Sequence, residues 1–260
     1  MSALDSLRRQ VAERPWRAGL YAFAALVVVS LGLFAVDYVL RPESFPVRSI
    51  RFEGAFGKVD QKALTDAVMG AVRGNFFLVD LDAVRRRAQS VPWVHDVSVR
   101  RSWPDGIDIQ FTEQQLVARW GKGQWVNAQG ETVDLQGQAG PDGLPQFQGP
   151  DGMTARVLDH YRRLTQILSP LGLTIAQLAL SDRQSWSVQL DDHVILTLGR
   201  EAPEPKVERF VLAYPQTLAA RAAQIRRVDL RYTNGFAVEW NGRAGAGRGS
   251  NLVTTGLHEG

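Results

Sequence analysis

A chain of 260 residues, 45% of them apolar, has room for one large or two small folded domains and is too hydrophobic to be disordered throughout. Twenty-six of its thirty basic residues are arginine, spread so that the formal net charge is only +3, and short runs such as Arg85-Arg86-Arg87 do not make the basic stripe that nucleic-acid binding needs. Disulfides, thiolate metal sites and thiol nucleophiles are excluded because the chain has no cysteine, which agrees with an oxidising compartment without requiring one.

Residues 18–36 read AGLYAFAALVVVSLGLFAV, without a formal charge. Continued to Leu40, this stretch is long enough as a helix to cross the hydrocarbon layer. Trp16 and Tyr21 at one end and Tyr38 at the other suit headgroup depth. Arg8, Arg9, Arg14 and Arg17 precede the span and only Arg41 follows closely, so the N-terminus is predicted to be cytoplasmic and the body to lie across the inner membrane. Leu33-Phe34-Ala35-Val36-Asp37 offers no Ala-x-Ala cleavage pattern, which speaks for an uncleaved anchor over a signal peptide, and the lack of a polar stripe speaks against a core helix.

Beyond a short linker holding Pro42 and Pro46, residues 47–53 alternate as a strand that Gly54 and Gly57 end. Asp60 can cap a helix in which Leu64, Ala67, Val68, Ala71 and Val72 form one stripe, ending at Gly74-Asn75. Asp80 opens a second helix with Leu81, Val84, Ala88 and Val91 inward, which Pro92 stops. Val97 and Val99 then alternate with polar residues, Trp103-Pro104-Asp105-Gly106 turns, and Ile107, Ile109 and Phe111 return as the second strand of a hairpin. Strand, helix, helix, strand, strand is enough for two helices to cover a three-stranded sheet.

These residues carry a resemblance. Ile50-x-Phe-Glu-Gly54, Val79-Asp80-Leu81, Pro92-Trp93-Val94, Val97-x-Val99-x-Arg101-x-Trp103-Pro104 and a closing Glu113, directly after an anchor, resemble a POTRA domain of the cell-division FtsQ/DivIB type.

In the next region Leu116–Trp120, Gln124–Asn127 and residues 132–135 read as short strands, and the Gly- and Pro-rich residues 137–152 as loop. A helix is predicted over residues 154–168, with Val157, Leu158, Tyr161, Leu164 and Leu168 on one side. Trp186, Val188 and Leu190, then Val194, Leu196 and Leu198, alternate around an Asp191-Asp192 turn. A helix from about Pro205 places Val207, Phe210, Val211 and Tyr214 inward, and Pro215 is expected to break or kink it. Val228, Leu230 and Tyr232 share a face, Asn234-Gly235 favours a tight turn, and Phe236, Val238 and Trp240 share a face, together a hairpin. Residues 241–260 show no periodicity. The last strand therefore lies either at a sheet edge, able to template a strand from another chain, or between two neighbours.

The resemblance to the FtsQ/DivIB family extends through this region, carried by Gly199-Arg200, Arg209-Phe210, Tyr214-Pro215 and Val228-Asp229-Leu230-Arg231-Tyr232 leading to Gly235 and Trp240. It departs at Phe236 and Glu239, where small residues belong to the pattern, so a bulkier surface is expected there. The resemblance implies a partner-binding site made of Arg200, Arg231, Tyr232, Asn234, Gly235, Phe236 and Trp240. Arg200 and Arg231 would meet acidic partner residues, and Tyr232, Phe236 and Trp240 would be apolar anchors. It also implies FtsB and FtsL as partners, and recruitment contacts at Val99 and Arg101.

No enzyme signature is present: Gly-x-Ser-x-Gly, Ser-x-x-Lys and His-Glu-x-x-His are all missing, and His95, His160, His193 and His258 stand apart in sequence. Asp191-Asp192-His193 sits in a tight turn whose adjacent side chains point apart. The expectation is an α+β protein without cofactor or metal. It comprises a cytoplasmic tail at 1–17, a single transmembrane helix at 18–40, a POTRA domain (β-α-α-β-β) at 45–113, a mixed, mostly β domain at 114–240 and a disordered tail at 241–260. The predicted role is a non-catalytic divisome scaffold at the division septum; the alternatives are an anchored POTRA chaperone of envelope assembly and an anchored hydrolase.

Overall fold

The computed structural model describes residues 15–41, 43–233, 235–241 and 251–254. It divides into two compact units that meet in sequence between Glu113 and Gln114.

Helix α1, Pro15–Leu40, opens the first unit. Its stretch Gly19–Leu40 is long and apolar enough to cross a membrane, about 33 Å at 1.5 Å per residue. Leu20, Phe23, Leu26, Leu31 and Phe34 are all exposed, so the helix is apolar around its circumference and no residue of its apolar window is buried in the unit.

The remainder of this unit is β1 (Ser49–Glu53), α2 (Gln61–Met69), α3 (Leu81–Gln89), β2 (Val94–Ser102) and β3 (Gly106–Glu113), the predicted order. β3 is central, parallel to β1 and antiparallel to β2. Asp60 caps α2 by accepting from the Lys62 and Ala63 amides, and Asp80 caps α3 through the Ala83 amide. Leu64 and Val68 of α2 and Val84 and Ala88 of α3 are buried, as are Val97, Ile107, Ile109 and Phe111 of the sheet. Helix α2 is shorter than its apolar stripe suggested. It stops at Gly70, and Ala71 and Val72 leave as a turn, both amides donating to the Val68 carbonyl. The outer face of the sheet joins its strands by charge: Asp108, nearly buried, lies 3.4 Å from Arg100 and 3.6 Å from Arg51.

The second unit is one ten-stranded sheet with helices. In chain order its strands are β4 (Leu116–Trp120), β5 (Gln124–Asn127), β6 (Thr132–Val133), β7 (Gln146–Gln148), β8 (Ile175–Leu180), β9 (Trp186–Leu190), β10 (Ile195–Gly199), β11 (Ile225–Asp229), β12 (Gly235–Trp240) and β13 (Asn251–Thr254). They lie side by side as β13-β12-β11-β10-β9-β8-β7-β4-β5-β6. Helix α4 (Thr154–Leu168) connects β7 to its parallel neighbour β8, and α5 (Glu204–Thr217) connects β10 to its parallel neighbour β11. Both crossovers step the same way between strands of the same direction, so right-handed connections bring both helices to one face. One core results, in which Val157, Leu158, Leu164 and Leu168 join Val207, Phe210, Phe147, Trp186, Val188, Leu196 and Val228.

Three features differ from the sequence reading. The 137–152 region contains β7, three residues long, whose Phe147 is fully buried. Pro215 does not break α5 but sits in its last turn, where the helix runs on only to Thr217. The tail, expected to lack structure, contributes β13, antiparallel to β12 with Phe236 opposite Val253 and Val238 opposite Asn251. Residues 242–250 and 255–260, like 1–14, lie outside the described residues.

Candidate partner-binding edge

The features that the sequence singled out converge on the β10–β11–β12 end of the large sheet. β12 pairs with β11 through Val228↔Val238 and Asp229↔Ala237, and its other side receives β13. The last strand of the expected hairpin is thus flanked on both sides, and β13 forms the border of the sheet.

Alternation along β12 sends Phe236 and Val238 into the core, at 3% and 1% exposure, and leaves Glu239 outside. Phe236, expected as an apolar anchor for a partner, is instead a core residue, and its bulk adds nothing to the surface. Trp240 is half-buried against the core, with the Arg221 guanidinium 4.5 Å from its ring centroid. Glu239 lies 3.2 Å from Arg226 on the facing strand. Asn234 is outside the described residues, while Gly235 opens β12 and is partly exposed.

Tyr232 is not on the face of Val228 and Leu230. β11 ends at Asp229, whose carboxylate accepts the Arg231 amide at 3.1 Å and turns the chain out of the sheet, leaving Tyr232 at 48% exposure. The same carboxylate accepts from the Arg231 guanidinium, at 2.9 and 3.1 Å to Nε and 2.6 Å to Nη2. Burial works to raise the Asp229 pKa, but the Arg231 hydrogen bonds and the charges of Arg231 and Arg227 prevail and hold it below the usual carboxylate range. The bonds to Asp229 in turn push Arg231 up. Asp229 is thus a residue that the sequence reading missed, although its place two residues before Arg231 was the available signal. The Arg231 stem packs over Gly199, where an added Cβ would stand 3.2 Å from Cγ and where φ is +82°. Beside it Arg200 is exposed, with no ion pair among the described residues. Buried Lys206 of α5 secures this corner by donating to the Leu198 carbonyl at 2.8 Å, with Glu201 at 3.0 Å.

In the first unit, Val99 is half-buried on β2, an outer strand of its sheet. Arg101 is committed within the fold: Nε donates to the Phe76 carbonyl at 2.9 Å, and Nη2 to those of Val79 at 2.9 Å and Phe77 at 3.2 Å. Glu113 accepts the Lys58 and Val59 amides at 2.7 and 2.9 Å. Desolvation opposes its ionisation, yet these backbone bonds and the Lys58 charge leave its pKa lowered.

Among the described residues no group of three or more His, Asp or Glu side chains is placed to hold a metal. In the Asp191-Asp192-His193 turn each carboxylate has a local partner, Thr174 for Asp191 and the Val194 amide for Asp192. His160 Nδ1 lies 2.6 Å from Glu204, a pair that ties α4 to α5 beside the Trp186 ring.

One apolar helix long enough to cross a membrane among the described residues, a β-α-α-β-β domain and a mixed sheet with a polar, arginine-bearing end fit a POTRA protein of bitopic design. The pattern of an FtsQ-type POTRA domain matches residues 45–114, and that of the C-terminal region of cell division protein FtsQ/DivIB matches residues 118–231. The chain is 32% identical to cell division protein FtsQ of Coxiella burnetii over 90% of its own length and 99% of that protein. It is 33% identical to FtsQ of Burkholderia pseudomallei, with 85% and 89% covered, and 32% identical to FtsQ of Shewanella oneidensis, with 84% of each. The chain belongs to the FtsQ/DivIB family of cell-division proteins.

Proposed function

We propose that this chain is a non-catalytic scaffold of the division septum. Its N-terminus is cytoplasmic and its two folded units lie across the inner membrane. FtsB- and FtsL-type partners bind at β12, so that early division components are linked to septal peptidoglycan synthesis. A partner strand takes the place of β13 on β12, with backbone hydrogen bonds giving affinity. Exposed Tyr232 supplies an aromatic contact and Arg200, without an ion pair among the described residues, a cation, while Arg231, already charge-balanced by Asp229, presents a fixed fork. The observation that carries this reading is the pairing of β12: among the described residues its outer side is met only by the four residues of β13, a short strand from the chain's own tail.

The test is binding of an FtsB fragment to the full-length protein, to the same protein lacking residues 242–260, and to Tyr232→Ala. Removing the tail should tighten binding, and Tyr232→Ala should weaken it by about tenfold, as for an aromatic contact at an interface. Loss of binding on tail removal overturns displacement of β13, and unchanged affinity in both variants overturns the edge itself. Recruitment through the first unit is assigned to the β2 edge around Val99, with Arg101 acting through the loop that it holds. A fluorescently tagged copy should form a band at midcell.

A further inference from the structure

The end of the first unit nearest the anchor is tied to the anchor helix by a buried side chain. The Asn75 side chain, fully buried, donates to the carbonyl of Val39 at 2.7 Å and, more weakly, to that of Arg41 at 3.4 Å. Helices end with unsatisfied carbonyls. Here the Val39 carbonyl of α1 is met by a side chain from the loop between α2 and α3, which places that loop against the last turn of the apolar helix. The loop is rigidly held. The Phe76 amide donates to the Phe45 carbonyl at 2.7 Å, Pro46 bridges to Asn75, and Arg101 gathers the carbonyls of Phe76, Phe77 and Val79.

The loop directs apolar side chains outward. Phe77 and Leu78 are exposed, and the Phe77 ring is braced edge-on at 5.3 Å by both Phe45 and Phe76. The β2–β3 turn belongs to the same end, since the Arg48 amide in the linker donates to the Asp105 carbonyl at 2.9 Å and Arg101 stands two residues before the turn. That turn carries Trp103, 83% exposed. Arg48 and Arg73, also exposed, flank this set. A rigid loop presenting Phe, Leu and Trp among arginines, tied to the end of an apolar helix, has the composition of the membrane–water interface.

We infer that Phe77, Leu78 and Trp103 rest in the headgroup layer of the leaflet that α1 leaves, so that the first domain is docked on phospholipid. Gly19–Leu40 spans about 33 Å, roughly the hydrocarbon thickness, so the Val39 carbonyl lies at its boundary and Phe77 is two residues from the group that bonds it. Membrane docking also accounts for large apolar side chains that remain solvated in the isolated unit although the core is complete without them.

The chain has no native cysteine, so single labels are unambiguous. The full-length protein carrying Phe77→Cys, Leu78→Cys or Trp103→Cys is spin-labelled and reconstituted in phosphatidylethanolamine–phosphatidylglycerol vesicles. Ala55→Cys is the reference: it is exposed just beyond the far end of β1, about 15 Å along the strand from Ser49. Collision with oxygen should exceed collision with a water-soluble nickel chelate at 77, 78 and 103, and the reverse should hold at 55. Trp103 makes no core contact, so its variant reports on docking even if a loop variant is misfolded. Nickel accessibility at 77 and 103 equal to that at 55 overturns the inference, and so does protection from both reagents, which would mean burial by protein.

Discussion

Asn75→Ala removes the acceptor of the Phe77 and Leu78 amides, at 3.0 and 2.9 Å, and the donor to the Val39 carbonyl at 2.7 Å. The weaker bond to Arg41, at 3.4 Å, adds little. The Leu78 amide keeps a second acceptor in the Asn75 carbonyl at 3.1 Å, so two full bonds at about 0.5–1.5 kcal/mol net each and part of a third are lost, about 2 kcal/mol or roughly thirtyfold in the opening equilibrium of the loop. Hydrogen exchange on the full-length protein in vesicles measures this. The informative amides are Phe76, bonded to Phe45, and Val79, bonded to the Asn75 carbonyl, because the substitution leaves both of those bonds in place. Faster exchange there reports opening of the loop and not merely a missing acceptor. Asn75→Asp sharpens the test: it keeps the acceptor for Phe77 and Leu78 but sets a buried carboxylate against the Val39 and Arg41 carbonyls, and should open the loop at least as much. Exchange at Phe76 and Val79 within twofold of the native rate in Asn75→Ala would refute the reasoning. Native rates in Asn75→Asp would show that the tie to α1 is not made.

Glu113 has a lowered pKa in the folded chain, so its stabilisation is full above the unfolded carboxylate pKa and is lost as pH falls through the folded value. Glu113→Gln should lower the melting temperature at pH 7, with a deficit that shrinks as pH falls through the carboxylate range; a deficit that does not change with pH would mean that the charge is not used. Phe236→Ala should cost about 3–5 kcal/mol by chemical denaturation, as a core truncation, whereas Tyr232→Ala should leave the midpoint unchanged. Gly199→Ala forces a side chain to φ +82° and towards Arg231, and should destabilise the second unit by about 1–3 kcal/mol in the same assay.

The first unit was readable because its signals are local and agree with one another. Asp60 and Asp80 mark helix starts, Pro92 a stop, and the alternation of residues 97–111 a hairpin, and each does in space what its chemistry implies. The hidden parts depend on distant residues. β7 is three residues long and gains its strand character from β4 and β8 on either side, neither adjacent in sequence. β13 likewise exists as an addition to β12. At the candidate site, Phe236 was rightly placed on a strand face with Val238 and Trp240, but periodicity states only that residues share a face, not whether that face meets the core. Arg101 was offered as a recruitment contact by the resemblance alone, and its three carbonyl partners come from a loop more than twenty residues earlier, which no local pattern announces.

The short strand at the border of the large sheet also sets the terms of competition. Residues 241–250 alone separate β12 from β13. A tether of that length holds the tail near its groove at an effective concentration on the order of millimolar. Under the proposed displacement, an incoming strand would have to outcompete a neighbour that cannot be diluted, so a partner scattered through the membrane would stay off and one gathered at a single site in the cell would get on. Occupancy would then report local crowding of the partner, with the length of the tail setting the threshold.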